Sequence, residues 1–149
     1  MDNGPGWAAL TTWVVVNVVN VAQTVGFASR RTHGMAVNHV AGYLIAGLAV
    51  PATAALVGYA RASSPWWIGP AVFDGFVALM LVVDYLRPVQ FRNPRRPIIL
   101  VPYLLLFFGG IFLMGISMYE VNRSLWLVTV ATSTLLISSM VWAMRQGTA

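Results

Sequence analysis

The chain has no cysteine and no lysine, and among its 149 residues only four are acidic and two are histidine. Without cysteine it cannot form disulfides, thiolate zinc sites, iron–sulfur clusters or a cysteine nucleophile. Without lysine it cannot hold a chromophore or substrate as a Schiff base. The histidines, His33 and His39, lie outside the deep part of any apolar stretch, and their spacing does not place two imidazoles on one helical face. We therefore expect no metal and no cofactor.

Charge of either sign is also scarce. Charged residues make up 9% of the chain and hydrophobic residues 58%, whereas about 25% of the residues in a soluble domain are charged. This composition predicts an integral membrane protein, and five apolar stretches reach the roughly 20 residues that a helix needs to cross a bilayer. We expect an all-α fold in which a compact bundle of five transmembrane helices forms a single membrane domain over 1–149. The predicted helices cover about 7–29, 39–60, 65–87, 98–119 and 124–144.

All nine basic residues are arginines, and they are distributed unequally over the connections between these helices. One side of the membrane holds only Arg61 and Arg123. By the positive-inside rule the other side is cytoplasmic, so we expect the amino terminus outside and the carboxyl terminus inside a cell membrane. Arginines confined to loops do not indicate nucleic-acid binding. The predicted cytoplasmic arginines are Arg30, Arg31, Arg87, Arg92, Arg95, Arg96 and Arg145.

The third predicted helix carries an aspartate near its centre. Asp74 lies between Pro65 and Pro88, at a depth where an ionisable side chain is expensive and marks a functional site by default. Helix 1 carries Asn17 and Asn20 on one stripe. Because Asn17 and Asp74 lie at similar depths, we expect a hydrogen bond between them, and a carboxyl held there could bind a proton or a cation. The alternative is that the pair only ties two helices together.

The second predicted helix contains Pro51 near its middle, and Asn38 is placed to cap its start. Pro51 cannot donate to the carbonyl of Gly47, so a kink and a free acceptor are expected at mid-membrane depth. These features together predict a polar cavity between helices 1, 2 and 3. Five short helices leave little lipid-free interior, which favours a homo-oligomer. The predicted lining of the cavity is Asn17, Asn20, Asp74 and the Gly47 carbonyl.

The second candidate site is the acidic and basic cluster after helix 3. Asp84 and Arg87 are spaced to pair on one helix face. Together with Arg92, Arg95 and Arg96, Arg87 lies beside the membrane surface, where each arginine attracts anionic lipid head groups by about 1 kcal/mol. We therefore expect these residues to bind membrane lipids. The alternative is that the arginines only set the orientation of the chain.

Three functions remain open from the sequence. The first is binding or transport of a small solute, ion or lipid through the predicted cavity. The second is a membrane enzyme that acts on a lipid or a phosphorylated isoprenoid at the cytoplasmic face, with Asp84 or His39 as general base and the arginines as anion clamps. The third is a non-catalytic scaffold or accessory subunit of a membrane complex, in which both aspartates are replaceable.

Overall fold

A computed structural model of the chain describes residues 5–91 and 96–147. These residues form helices and no strands. Five of the helices are long and apolar enough to cross a membrane, which confirms the predicted number and indicates a multi-pass membrane protein. We call them spans 1 to 5, and they cover Gly6–Ala28, Ala36–Arg61, Pro65–Leu86, Pro97–Val121 and Arg123–Arg145.

The helix ends differ from the predicted ones mainly at the arginine-bearing connections. Span 2 begins at Ala36, so Asn38 lies inside the helix and the prediction that it caps the helix is wrong. The basic connection before it forms a one-turn helix, Arg30–His33. Span 3 finishes in a π-helical turn, Leu81–Leu86. Such turns are rare and are often found at functional sites, and this one carries Asp84.

Span 2 runs as one helix through Pro51. Gly47 precedes that proline by one turn and lies on the exposed surface of the bundle. The space where its side chain would stand is open. The prediction that the Gly47 carbonyl lines an internal cavity is therefore wrong, because this residue lies on the outside of the bundle.

The spans meet in an apolar core to which each contributes. Span 1 packs against spans 2, 4 and 5, and span 3 packs against spans 2 and 4. Helices in lipid are held together mainly by close van der Waals packing, because lipid tails are as apolar as the side chains. The core residues include Val16, Ile45, Phe73, Met114 and Leu136, one from each span and each at most 1% exposed.

Spans 1 and 5 run parallel, with a constant register. The Trp13 indole N–H donates to the Leu125 carbonyl at 2.8 Å, and the Asn17 amide donates to the Thr129 hydroxyl at 3.1 Å. Both pairs are separated by 112 residues in sequence. Because the first and last spans are parallel, span 1 begins and span 5 ends at opposite ends of the bundle.

Spans 3 and 4 pack closely at Gly69. A Cβ atom on Gly69 would stand 2.9 Å from the backbone nitrogen of Met114, which cannot move aside as a flexible side chain can. We expect Gly69→Ala to lower the free energy of unfolding by about 1–3 kcal/mol, the usual cost of overpacking. Gly75→Ala is the control on the same span, because the space around Gly75 is open. Thermal unfolding in detergent compares the two variants, and equal midpoints would contradict this close packing.

Candidate ligand-binding site

A cavity of about 420 Å³ lies at one end of the bundle and is lined by all five spans. Its volume falls within the roughly 300–1,000 Å³ that is usual for small-molecule sites. The cavity lies where spans 1, 3 and 5 end and spans 2 and 4 begin. We call this the arginine-rich end, and its described arginines are Arg30, Arg31, Arg87, Arg96 and Arg145.

The deep part of the cavity is apolar. Phe76 and Met80 of span 3 and Phe107 of span 4 are almost completely buried. The rings of Phe76 and Phe107 are 5.0 Å apart, and the ring of Tyr103 meets Phe76 edge-on at 5.2 Å. Aromatic rings at these separations attract one another beyond the effect of burial alone. We call this part the apolar floor, and it consists of Phe27, Phe76, Met80, Leu104, Phe107, Phe108 and Met140.

The opening of the cavity is polar. Arg30, two residues after span 1, is only 9% exposed, and its guanidinium carbon stands 4.4 Å from the centroid of the Phe27 ring. A cation over an aromatic face is stabilised by about 0.5–2 kcal/mol, most where water is excluded. The ring therefore helps to hold this charge at the cavity wall. We call the group the polar mouth, and it consists of Gln23, Arg30, Asn38, His39, Asp84, Tyr85 and Tyr103.

Two tyrosines fix the geometry of the polar mouth. The Tyr103 hydroxyl donates to Asp84 Oδ2 at 3.0 Å, and the Tyr85 hydroxyl donates to the His39 carbonyl at 2.9 Å. Gly42 makes the second bond possible, because a Cβ atom there would collide with the Tyr85 hydroxyl. The bond from Tyr103 links spans 3 and 4 and fixes the orientation of the Asp84 carboxyl group.

The cluster predicted after span 3 is only partly placed at this cavity. Asp84 lines it. Arg87 and Arg96 are exposed at the same end and do not belong to its wall. Arg92 and Arg95 lie outside the described residues. A head-group role for the arginines of this cluster stays a prediction.

The asparagines of span 1 face span 5. The Asn17 side chain donates to the Thr129 hydroxyl at 3.1 Å and accepts from the Thr132 hydroxyl at 2.7 Å. The Asn20 amide donates to Thr132 at 3.1 Å and to Ser133 at 3.0 Å. We call these five side chains the polar seam. Since the two spans run parallel, the amides of one and the hydroxyls of the other meet at equal depths.

Asp74 of span 3 faces span 2. Its Oδ2 stands 2.9 Å from the hydroxyl of Thr53 on span 2. The predicted hydrogen bond between Asn17 and Asp74 is therefore wrong, because each faces a different neighbouring span. Neither Asp74 nor Asn17 nor Asn20 lines the cavity, so the predicted lining is corrected to the apolar floor and polar mouth.

The polar seam is expected to stabilise the fold without taking part in ligand binding. Asn17→Ala removes two side-chain bonds to span 5, and at about 0.6 kcal/mol for an average intramembrane hydrogen bond stability should fall by about 1 kcal/mol. Thr134→Val is the control, since the Thr134 hydroxyl donates to the Val130 carbonyl of its own helix. Thermal unfolding measures the effect. Loss of ligand binding in Asn17→Ala at unchanged stability would contradict this assignment.

Most of the cavity lining was missed from the sequence, although a periodic signal for it exists. Gln23, Phe27 and Arg30 follow the i, i+4, i+7 spacing of one helical face. Met80 lies one turn and Phe76 two turns before Asp84 on the same face. A search for apolar residues in line with a polar residue at the arginine-rich end of each span would have found these positions.

Comparisons with protein-family models, with curated proteins and with solved structures find no match to this chain. The fold and the cavity therefore define its class, a five-span helical membrane protein with a mixed polar and apolar cavity at one end of the bundle. Its function has to be argued from the chemistry of that cavity.

Proposed function

We propose that the protein binds a small amphiphile, with one apolar chain and one anionic head group, in the cavity at its arginine-rich end. The observation that carries this proposal is the division of a single cavity into an apolar floor and a polar mouth. Apolar surface transferred from water into such a floor gains about 25 cal/mol per Å². A wholly polar solute would gain no transfer free energy from the apolar floor. A wholly apolar solute would make no hydrogen bonds with the polar mouth.

The charge of this end favours an anionic head. Arg30 lines the cavity and is nearly buried, and an arginine fork binds carboxylate or phosphate oxygens with two parallel hydrogen bonds. Arg31, Arg87 and Arg96 add positive potential around the opening, which raises the local concentration of anions. Asp84 is the one acidic residue at this end among the described residues, and it already accepts a hydrogen bond from Tyr103.

A chain can reach the floor from the surrounding lipid. Leu104 of span 4 and Met144 of span 5 both line the cavity, and they are 37% and 53% exposed. We therefore propose that the chain enters between these two spans. Phe73, Ile111 and Met114 belong to the buried core, do not line the cavity and are each at most 4% exposed. These observations favour binding from one membrane leaflet over passage through the bundle.

The location proposed for this site is the inner leaflet of a cell membrane. This location follows from the positive-inside rule, by which arginine-rich connections between spans lie in the cytoplasm. On this orientation the amphiphile enters from the cytoplasmic leaflet with its head at the level of the lipid head groups. The enzymatic role for Asp84 or His39 stays a prediction that concerns the same polar mouth, since both line it.

The proposal is tested by equilibrium binding of palmitate, a single-chain anionic amphiphile. Full-length protein is immobilised in a nonionic detergent and titrated with tritiated palmitate, with hexadecanol as the uncharged competitor of equal chain length. We expect saturable binding of a single molecule per chain, displaced more weakly by hexadecanol than by unlabelled palmitate. Palmitate that only partitions into the micelle, with no saturable component, would contradict the proposal.

A further inference from the structure

Asp74 and Thr53 form a polar pair between spans 2 and 3, away from the cavity. Asp74 Oδ2 stands 2.9 Å from Thr53 Oγ1, and Thr53 Oγ1 stands 2.8 Å from the carbonyl oxygen of Ala49. The second carboxyl oxygen, Oδ1, is buried and has no hydrogen-bond partner among the described residues. Thr53 itself is exposed on the outer surface of the bundle, which in a membrane faces lipid.

The Thr53 hydroxyl has one proton and two close oxygen neighbours. If it donates to Asp74, the short contact with the Ala49 carbonyl brings two acceptor oxygens together without a hydrogen between them. If Asp74 carries a proton, the carboxyl donates to Thr53 and Thr53 donates to Ala49. Both distances are then hydrogen bonds, so the geometry fits the protonated carboxyl best.

Within residues 5–91 and 96–147, no side chain of opposite charge lies at the depth of Asp74. The other charged or titratable side chains on spans 2, 3 and 4, as far as the structure describes them, are near the span ends. An ionised carboxylate at this depth would be costly without a partner, and protonation removes that cost. These other side chains are His39, Tyr43, Tyr59, Arg61, Asp84, Tyr85, Tyr103, Tyr119 and Glu120.

We propose that Asp74 and Thr53 form a proton-binding site on the lipid-facing surface between spans 2 and 3, at mid-membrane depth. The carboxyl holds the proton and donates it in a hydrogen bond to Thr53. Such a carboxyl reacts with a hydrophobic carbodiimide that enters from lipid. Its O–H adds across one C=N bond to give an O-acylisourea, and the acyl group then moves to nitrogen to give an N-acylurea, so no atom leaves.

Labelling with dicyclohexylcarbodiimide tests the site. Full-length protein in detergent is treated at neutral pH, and adducts are located by peptide mass spectrometry. We expect an adduct at Asp74 that is absent from Asp74→Asn, and none above background at Asp84 or at the exposed Glu120. Labelling of Asp74 no greater than that of Glu120 would overturn the proposal. Protection by excess Na⁺ at constant pH would also overturn it, because the site would then bind a metal cation.

A second pair of variants tests the hydrogen-bond chain. Thr53→Val removes the acceptor of the Asp74 proton, and loss of one average intramembrane hydrogen bond should raise the labelling rate at Asp74 by about threefold. Thr134→Val is the matched control, since Thr134 is also exposed and also donates to a carbonyl of its own helix at 2.8 Å. An unchanged rate in Thr53→Val, or an equal increase in Thr134→Val, would overturn the arrangement. Palmitate binding is expected to be normal in these variants, so this proposal and the proposed function can fail separately.

Discussion

Leu104→Trp is expected to weaken palmitate binding by about a hundredfold or more, equivalent to about 2.8 kcal/mol. Leu104 lines the cavity and is 37% exposed. An indole at this position can fill the cavity without displacing the buried core, so the loss comes from occupied volume. The measurement is the palmitate titration, accompanied by thermal unfolding to show that the variant is folded.

Leu105→Trp is the matched control for this prediction. It makes the same change one residue further along span 4, where Leu105 is 68% exposed and does not line the cavity. Palmitate affinity should stay within the error of the wild-type value. Equal losses in both variants would show that the cavity is not the binding site.

Arg30→Gln is expected to weaken palmitate binding by about tenfold to a hundredfold, because a hydrogen bond to a charged group contributes about 1.5–3 kcal/mol. Arg30 is the arginine on the cavity wall among the described residues. Hexadecanol has no charge to be recognised, so its affinity should change little. The titration with each ligand therefore separates loss of head-group recognition from damage to the apolar floor.

Arg31→Gln removes the same charge from the same one-turn helix and serves as the control. Arg31 is exposed and does not line the cavity. Only a small loss is expected there, since the contribution of a distant exposed charge is screened by salt. Equal losses in the two arginine variants would mean that net charge, and not a contact with Arg30, attracts the ligand.

The architecture could be predicted because span number depends on local properties of the chain. Each span is a long apolar stretch bounded by polar residues or proline, and Pro65 begins span 3 as predicted. Span 2 begins at Ala36, three residues before the predicted start at 39. Asn38 has a side chain that is typical of a helix cap, but it lies inside the helix and lines the cavity. Capping preference is weak beside tertiary contacts.

The site could not be predicted from the sequence because it depends on which spans are neighbours. Asn17 is at a depth that suits both Asp74 and Thr132, and only the packing of span 1 against span 5 decides for Thr132. Arg30 and Arg31 are adjacent and chemically identical, so their sequence does not show which of them faces the cavity. The phase of the short helix turns the first inward and the second outward.

Photo-crosslinking shows whether an apolar chain occupies the floor of the cavity. Full-length protein is equilibrated with palmitate that carries a diazirine at the end of its chain, irradiated, and mapped by peptide mass spectrometry. We expect adducts at floor residues such as Phe76 and Phe107, and we expect excess palmitate to suppress them. Adducts confined to lipid-facing positions such as Leu105 and Phe112, and unaffected by excess palmitate, would contradict this expectation.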